Sequence, residues 1–344
     1  MAYTGKKLAT TLYDVYTKAE AVAAADLQGL VETYAPQQIV KSATAPSSPA
    51  NGDFWYDTDD FAFKFYDGTE WQLIKNAFSA VGGTIYEGGG YKYHVFTTSG
   101  TFQIVKGGNS VDVLIVAGGG GGGYDVSGGG GAGGLVQVTG QNMTTGSWSV
   151  VIGAGGAGSN NLSGGPSAAQ NGSNTTVTNF TTAIGGGRGG NYQTAGISGG
   201  SGGGGAFQSQ AGGSGTSGQG NAGGNGGSVT YASGGGGGAG AAGVTPSTNT
   251  GGAGGAGLAF TEWTTITSTG ESGYFAGGGA GGGTTGGIGG VGGGGNGHTR
   301  DTQTPAESGQ ANTGGGGGGT GGWSTTGPSA GSGGSGIVIF RYPA

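Results

Sequence analysis

Glycine constrains the folding of this chain more than any other feature of its sequence. There are 97 glycines in 344 residues, and ten of them precede Gly107, so 97 − 10 = 87 fall within residues 107–344. An interior glycine costs roughly 0.5–1 kcal/mol relative to alanine, because its backbone loses the most freedom on folding. The segment is therefore either a disordered linker or a fold that uses glycine for something no side chain allows.

Apolar runs within the glycine segment argue for an ordered domain. Residues 111–116, 147–152 and 336–342 are rich in valine and isoleucine, and disordered chains avoid such runs. The absence of a strict Gly-X-Y repeat excludes a collagen triple helix. We expect a fold that is mostly β plus irregular structure, with strands at about residues 91–117, 135–152 and 336–342.

Charge and composition exclude several classes of function. The net charge is −6, and residues 107–344 hold three arginines and no lysine. Phosphate recognition requires clustered positive charge, so we expect no nucleic-acid partner. There is no cysteine, hence no disulfide or thiolate metal site. No signal peptide or long apolar span is evident, which favours a soluble cytosolic product and no membrane insertion.

The first 35 residues predict a short helix for attachment or oligomerisation. A capping box at Thr17 and Glu20 marks a helix start, and the helix would run to about Tyr34. Its apolar stripe is too short to be stable alone, so it packs on its own domain, on copies of itself or on another chain. The candidate attachment residues are Leu8, Leu12, Val15, Val22, Leu27 and Leu30.

Residues 36–50 are rich in proline and serine and predict an extended linker. Residues 51–76 predict a small β module, because the runs 54–56, 61–66 and 70–74 alternate and Asp67-Gly68 is a strong turn signal. The aromatic face of this module is expected to be core. The glycine-rich β domain then occupies residues 77–344.

Motifs in the first 76 residues resemble modules of bacteriophage tail fibres. Segments 16–20, 46–58 and 66–71 follow one another in the order found in those modules. Residues 91–344 resemble a glycine-rich domain of phage fibres and bacterial surface proteins. The layout is also similar to that of phage tail-tip adhesins whose glycine runs form packed polyglycine-II helices.

A polyglycine-II arrangement explains what glycine is for. Such a strand has three residues per turn and no internal hydrogen bonds, so neighbouring strands must supply all partners. Only glycine allows backbones to approach on every side. Runs 118–123, 234–238 and 314–319 suit a single layer of parallel and antiparallel rods. Substitution of Gly236 or Gly316 by valine should then destabilise the fold severely.

Most polar and aromatic side chains of the domain lie in loops between the glycine runs. We expect rigid glycine rods that present these variable loops at their ends. Binding residues commonly lie on such loops, although any one aromatic side chain could instead fold back and plug the domain. Arg300, His298 and Asp301 form the one polar cluster. The candidate receptor-binding residues are Tyr124, Asp125, Tyr192, Phe207, Tyr231, Trp263, Phe275, His298, Arg300 and Asp301.

Catalytic and metal-binding motifs are not evident in the sequence. His94 and His298 have no second ligand at metal spacing, and the carboxylates of the glycine domain are scattered without pairing. We therefore expect no enzyme activity, no metal and no cofactor.

The resemblance implies a virion protein of the phage tail, assembled in the host cytoplasm. Its partners would be a host cell-surface glycan or outer-membrane protein and other virion tail proteins, as a homotrimer or docked on a trimeric fibre. The alternatives are a purely structural fibre or decoration protein without a receptor, and an ice-binding protein, against which the irregular aromatic tips argue.

Overall fold

A computed structural model describes residues 39–59, 62–74, 78–160, 169–228, 231–300, 302–322 and 329–344. The chain divides into two units: residues 1–79 with 105–108, and residues 80–104 with 109–344. The structure is mostly β, as predicted. The predicted helix and its candidate attachment residues Leu8, Leu12, Val15, Val22, Leu27 and Leu30 lie outside the described residues.

The first unit contains a sheet of order β1-β2-β3-β4. Its strands are β1 (Ile39–Ser42), β2 (Phe54–Asp57), β3 (Ala62–Tyr66) and β4 (Trp71–Leu73). The antiparallel pairs β2–β3 and β3–β4 confirm the predicted runs. Trp55 packs edge-on against Trp71 with ring centroids 5.5 Å apart. Strand β1 pairs in parallel with β2, so part of segment 36–50, predicted to be linker, belongs to the sheet.

The turn between β3 and β4 forms at Asp67-Gly68, as the sequence indicates. Gly68 has a φ of +100°, which favours glycine. The Asp67 carboxylate accepts hydrogen bonds from the amides of Thr69 and Glu70, both at 2.9 Å. These bonds hold the pKa of Asp67 well below its usual value.

The second unit is built on a sheet of order β10-β9-β8-β13-β7-β6, and β5 pairs with β8 off this path. The three predicted strand regions are confirmed. β13 lies between β7 and β8 and pairs with both. The strand that follows the glycine runs is therefore the direct neighbour of β8, the strand that leads into them. The strands are β5 (Ser79–Val81), β6 (Thr84–Gly88), β7 (Tyr91–Phe96), β8 (Gly100–Val116), β9 (Leu135–Val151), β10 (Thr176–Val177) and β13 (Ile337–Pro343).

A short excursion from the glycine region covers the hydrophobic core of this unit. It consists of β11 (Leu258–Ala259), helix α1 (Thr261–Thr267) and β12 (Tyr274–Phe275). Helix α1 buries Trp263, Thr264 and Thr267, and its C-cap Ser268 is left-handed with a φ of 53°. The core residues are Tyr93, Val95, Leu114, Val116, Ala132, Leu135, Phe260, Trp263, Phe275, Ala276, Ile337 and Ile339.

The glycine segments are rods whose hydrogen bonds repeat every three residues. In rod 118–123, amides three residues apart donate to the same neighbouring rod. The donor–acceptor pairs are Gly118 to Ser173 and Gly121 to Gln170, Gly119 to Gly334 and Gly122 to Gly331, and Gly120 to Gly131 and Gly123 to Gly128. A period of three, with no bond inside the rod, is the pattern of a three-residue turn.

Rod 118–123 is hydrogen-bonded on every side. Three rods accept from it, as above, and three others donate to it through the amides of Gly156, Gly186 and Gly317, at 2.8–3.0 Å. Rod 128–134 is surrounded in the same way, since it donates to segments 184–190, 233–238 and 314–320. The expectation of a single layer is therefore wrong: the rods form a three-dimensional bundle, because each turn points amides in three directions.

Candidate functional site

The rods run in both directions between the sheet and the end of the bundle that lies away from it. Rod 118–123 leaves β8 and ends at Tyr124, and rod 201–206 runs the same way and ends at Phe207. At roughly 3.1 Å per residue, a six-residue rod places its end about 19 Å from the sheet. We call this end the distal tip, comprising residues 124–127, 191–193, 207–209, 231, 298–300 and 320.

Backbone hydrogen bonds tie the loops of the distal tip to one another. The amide of Tyr192 donates to the carbonyl of Tyr124 at 3.1 Å, and the amide of Phe207 donates to that of Val126 at 3.2 Å. The amide of Asp125 donates to Thr320 Oγ1 at 2.7 Å. These bonds fix the loops against each other, so the distal tip is a continuous surface on a rigid base.

The loops reverse direction through residues in the left-handed region. Asp125, Val126, Gln193 and Gln208 have φ values of 64°, 41°, 53° and 60°. This conformation is uncommon for residues other than glycine, and is an outlier for a β-branched residue such as Val126. It allows each rod to turn back within a few residues.

Three aromatic rings form a ridge across the distal tip. The rings of Tyr192 and Phe207 lie 5.4 Å apart, and those of Phe207 and Tyr231 lie 6.1 Å apart at 28°. Tyr192 is 36% exposed and Tyr231 is 45% exposed, whereas Phe207 is 4% exposed. The buried Phe207 therefore supports two tyrosines that face solvent.

Arg300 and Asp125 supply charge beside this ridge. The guanidinium of Arg300 lies over the Tyr231 ring, 5.5 Å from its centroid. Asp125 is buried, and its Oδ1 atom has no hydrogen-bond partner in the described structure. Burial raises the pKa of Asp125 to about 6, and the attraction of Arg300 opposes the rise.

Several predicted tip residues are buried rather than displayed. Tyr124 is 2% exposed, and its amide donates to Asn191 Oδ1 at 3.1 Å. His298 is 4% exposed, and its Nδ1 accepts from the Gly321 amide at 3.2 Å. The expectation that the side chains of Tyr124, Asp125, Phe207 and His298 are displayed is therefore wrong. Asp301 lies outside the described residues.

Trp263 and Phe275 lie at the opposite end of the rods. Both belong to the hydrophobic core between sheet and rods, and their rings pack around Phe260 at 5.9 and 6.2 Å. The prediction of an exposed tip is wrong for both, because helix α1 and strand β12 fold back onto the sheet. For these two residues, the alternative stated from the sequence holds: their side chains fold back into the domain instead of lying at a loop tip.

Arg341 joins helix α1 to the sheet at that end. Its guanidinium lies between the rings of Tyr91 and Trp263, 4.5 and 4.6 Å from their centroids. It pairs with Asp112 at 2.7 Å and with Glu262 at 3.0 Å. The side chain of Arg341 is 13% exposed, so its charge serves to hold the fold together and is not displayed to a ligand.

The sequence did not single out two glutamines on the tip. Gln193 Nε2 donates to Gln208 Oε1 at 2.8 Å, and both side chains are exposed. A signal was present, because each glutamine directly follows a predicted aromatic tip residue. We call Gln193 and Gln208 the glutamine pair.

Elsewhere in the described structure, a shallow groove is lined by Glu271, Glu307, Ser308 and Gln310. Glu271 accepts a hydrogen bond from the Gly292 amide at 2.7 Å. Among the described residues, no group of three or more His, Asp or Glu side chains is placed to hold a metal ion. The described helix is too short and too polar to cross a membrane.

Comparison with known proteins identifies the class of the second unit. Residues 97–343 match the family model described as a glycine-rich domain. This match covers most of the chain, so the chain belongs to that family. A search of curated proteins gives no match.

Proposed function

We propose that this chain is a virion protein of a bacteriophage tail that attaches the particle to the bacterial surface through the distal tip. The single observation that carries the proposal is that loops from distant parts of the chain meet at one end of a rigid bundle, with Tyr192 and Tyr231 exposed. The glycine-rich domain family and the tail-fibre motifs of the first 76 residues also support it.

The architecture fits attachment because it separates scaffold from recognition. Rods that are hydrogen-bonded on every side tolerate little variation, since almost every added side chain would strike another backbone. Loops at the rod ends are free of that constraint, and binding residues commonly lie on loops held by a rigid scaffold. Tyrosine brings a large contact area at a small entropic loss.

In this proposal the first 35 residues join the protein to other virion tail proteins, as a homotrimer or on a trimeric fibre. The receptor is a cell-surface glycan or an outer-membrane protein. The protein is assembled in the host cytoplasm and acts on the virion.

Binding of the labelled full-length protein to a panel of bacterial strains tests the proposal. We expect saturable binding to at least one strain, and competition with phage adsorption to that strain. Tyr192→Ala and Tyr231→Ala should each weaken binding by about tenfold or more, which corresponds to about 1.4 kcal/mol. Ile85→Ala is the control, because Ile85 is 53% exposed on β6, away from the tip.

Failure to bind any strain and to slow adsorption would favour a purely structural virion protein. If the tip variants bound like the parent, the receptor surface would lie elsewhere, and the aromatic β module around Trp55 and Trp71 would be tested next.

A further inference from the structure

We propose that the distal tip binds a neutral sugar ring of a surface glycan, with the exposed parts of the Tyr192 and Tyr231 rings as its apolar contacts and the glutamine pair as its hydrogen-bonding edge. This inference rests on the proposed function and names the class of receptor. It follows from the shape of the exposed surface, its hydrogen-bonding groups and its charge.

The exposed rings provide the apolar half of such a site. A pyranose presents a face of C–H groups that packs on an aromatic ring, which combines apolar contact with the negative face of the ring. Phe207 stacks on Tyr231 with ring centroids 6.1 Å apart, and its ring also contacts that of Tyr192 at 5.4 Å. The two tyrosines therefore keep fixed orientations before any ligand arrives, which reduces the entropy lost on binding.

The glutamine pair provides the polar half. The bond from Gln193 Nε2 to Gln208 Oε1 uses one donor and one acceptor. It orients Gln193 Oε1 as an acceptor and Gln208 Nε2 as a donor. A sugar hydroxyl both donates and accepts, so neighbouring hydroxyls can satisfy this pair. Gln193 and Gln208 directly follow Tyr192 and Phe207, so the glutamine pair joins the two loops that carry these ridge residues.

The charges of the distal tip favour a neutral ligand. Arg300 lies over Tyr231 and is attracted to the buried Asp125, so its charge is partly balanced within the tip. No lysine follows Lys106 in the sequence, Arg341 lies at the sheet end of the rods, and the Arg188 guanidinium donates to the Gly189 carbonyl within the rod that leads to Asn191. A strongly acidic polysaccharide would find little positive charge here.

The small number of exposed aromatic and polar side chains in the described part of the distal tip favours a sugar over a protein loop. A stable protein interface buries about 800 Å² on each partner, with several anchors near its centre. The described part of the distal tip offers two part-exposed tyrosines, a pair of amides and Arg300. That set matches the few aromatic and polar groups of a small-ligand site.

Chemical treatment of the bound cells separates the receptor classes. Cells of a strain that binds the protein are treated with periodate, which cleaves vicinal diols, or with a broad-specificity protease, and binding is measured again. We expect periodate to abolish binding and protease to leave it unchanged. Loss of binding with protease but not with periodate would overturn this inference and leave the proposed function standing. Absence of binding to untreated cells of every strain would count against the proposed function itself.

Variants of the glutamine pair test the location. Gln193→Asn and Gln208→Asn each shorten the side chain by one methylene group, which breaks the hydrogen bond of the glutamine pair. Asparagine tolerates the left-handed backbone at both positions. We expect at least a fivefold loss of affinity for surface polysaccharide extracted from the same strain, with an unchanged melting temperature. Gln219→Asn would disturb structure, so Gln310→Asn in the exposed loop elsewhere is the control. Unchanged affinity in both tip variants would mean that the glycan binds outside the distal tip.

Discussion

The carbonyl oxygen of Gly130 lies so close to the Cα atom of Gly236 that a Cβ atom there would approach the oxygen to less than 3.0 Å. A Cβ atom on Gly316 would meet the same carbonyl. Gly130 lies in a rod that is surrounded on all sides, so neither rod can move away without breaking hydrogen bonds to others.

We therefore expect Gly236→Val and Gly316→Val each to lower the free energy of unfolding by at least about 3 kcal/mol. Each buried backbone group left without a partner costs roughly 1–3 kcal/mol. The control is Gly322→Ala, whose Cβ would meet only the His298 side chain, at 3.9 Å. Denaturant unfolding of the three variants and the parent measures the difference. Equal stability of all four proteins would rule out close rod packing.

The raised pKa of Asp125 should make the stability of the fold depend on pH. Burial raises its pKa to about 6 from 3.8, so the folded state binds more protons than the unfolded state between these values. The contribution of Asp125 to the free energy of unfolding therefore falls as the pH rises from about 4 to about 6, by an amount on the order of 2 kcal/mol. Asp125→Asn removes this loss, and asparagine tolerates the φ of 64°.

We expect Asp125→Asn to be more stable than the parent by about 1–2 kcal/mol at pH 7.5 and equal to it near pH 4. The buried His94 has a pKa lowered by burial and destabilises the fold as the pH falls below 6.5, but it does so in both proteins. The difference between them therefore isolates Asp125. A constant difference at both pH values would contradict the raised pKa.

Trp263 and Phe275 separate stability from binding. Truncation of a buried aromatic side chain costs about 3–5 kcal/mol, so Trp263→Ala and Phe275→Ala should lower the melting temperature strongly. Their folded fraction should still bind cells like the parent, because both side chains lie at the sheet end. Tyr231→Ala should show the reverse pattern. Weaker binding by correctly folded Phe275→Ala would show that the receptor surface is not confined to the distal tip.

Replacement of Arg341 by lysine should lower the stability of the fold. Two of its nitrogens, Nε and one Nη, contact Asp112 Oδ2 at 3.2 and 2.7 Å, and its plane lies between two rings. Lysine has neither the fork nor the flat face. We expect Arg341→Lys to reduce stability by about 1–3 kcal/mol, and Lys92→Gln, which breaks an exposed pair with Glu87, to change it by less than about 0.5 kcal/mol. Similar effects of both substitutions would mean that Arg341 acts only as a surface charge.

The strands could be predicted from the sequence, but the neighbours of each rod could not. Valine and isoleucine mark β8, β9 and β13, and Asp67-Gly68 marks the hairpin of the first unit. A glycine run has no side-chain pattern, so nothing in the sequence indicates that Gly130 bonds to Gly317 or that Gly236 lies beside Gly130. That information exists only in the backbone geometry of the whole bundle.

The same limit applies to the candidate site. Tyr192, Phe207 and Tyr231 meet because the rods that end or begin at them are neighbours, as the bond from the Gly190 amide to the Gly204 carbonyl shows. For Trp263 a local signal was missed. Phe260, Trp263, Thr264 and Thr267 follow the three- and four-residue spacing of a helix face, and a helix there indicates a residue that packs inward.

Salt dependence gives the last prediction. The described part of the distal tip holds one arginine, whose charge is partly balanced by Asp125, so binding by stacking and amide hydrogen bonds should respond little to ionic strength. We expect the affinity for cells to change by less than about threefold between 50 and 500 mM NaCl, because screening at these concentrations weakens mainly interactions between exposed charges. Arg300→Gln should likewise weaken binding only slightly, through lost support of the Tyr231 ring, whereas Tyr231→Ala should weaken it strongly at every salt concentration. A steep fall in affinity with salt that disappears in Arg300→Gln would instead identify an anionic receptor held by Arg300, and the tyrosines would then have a supporting role.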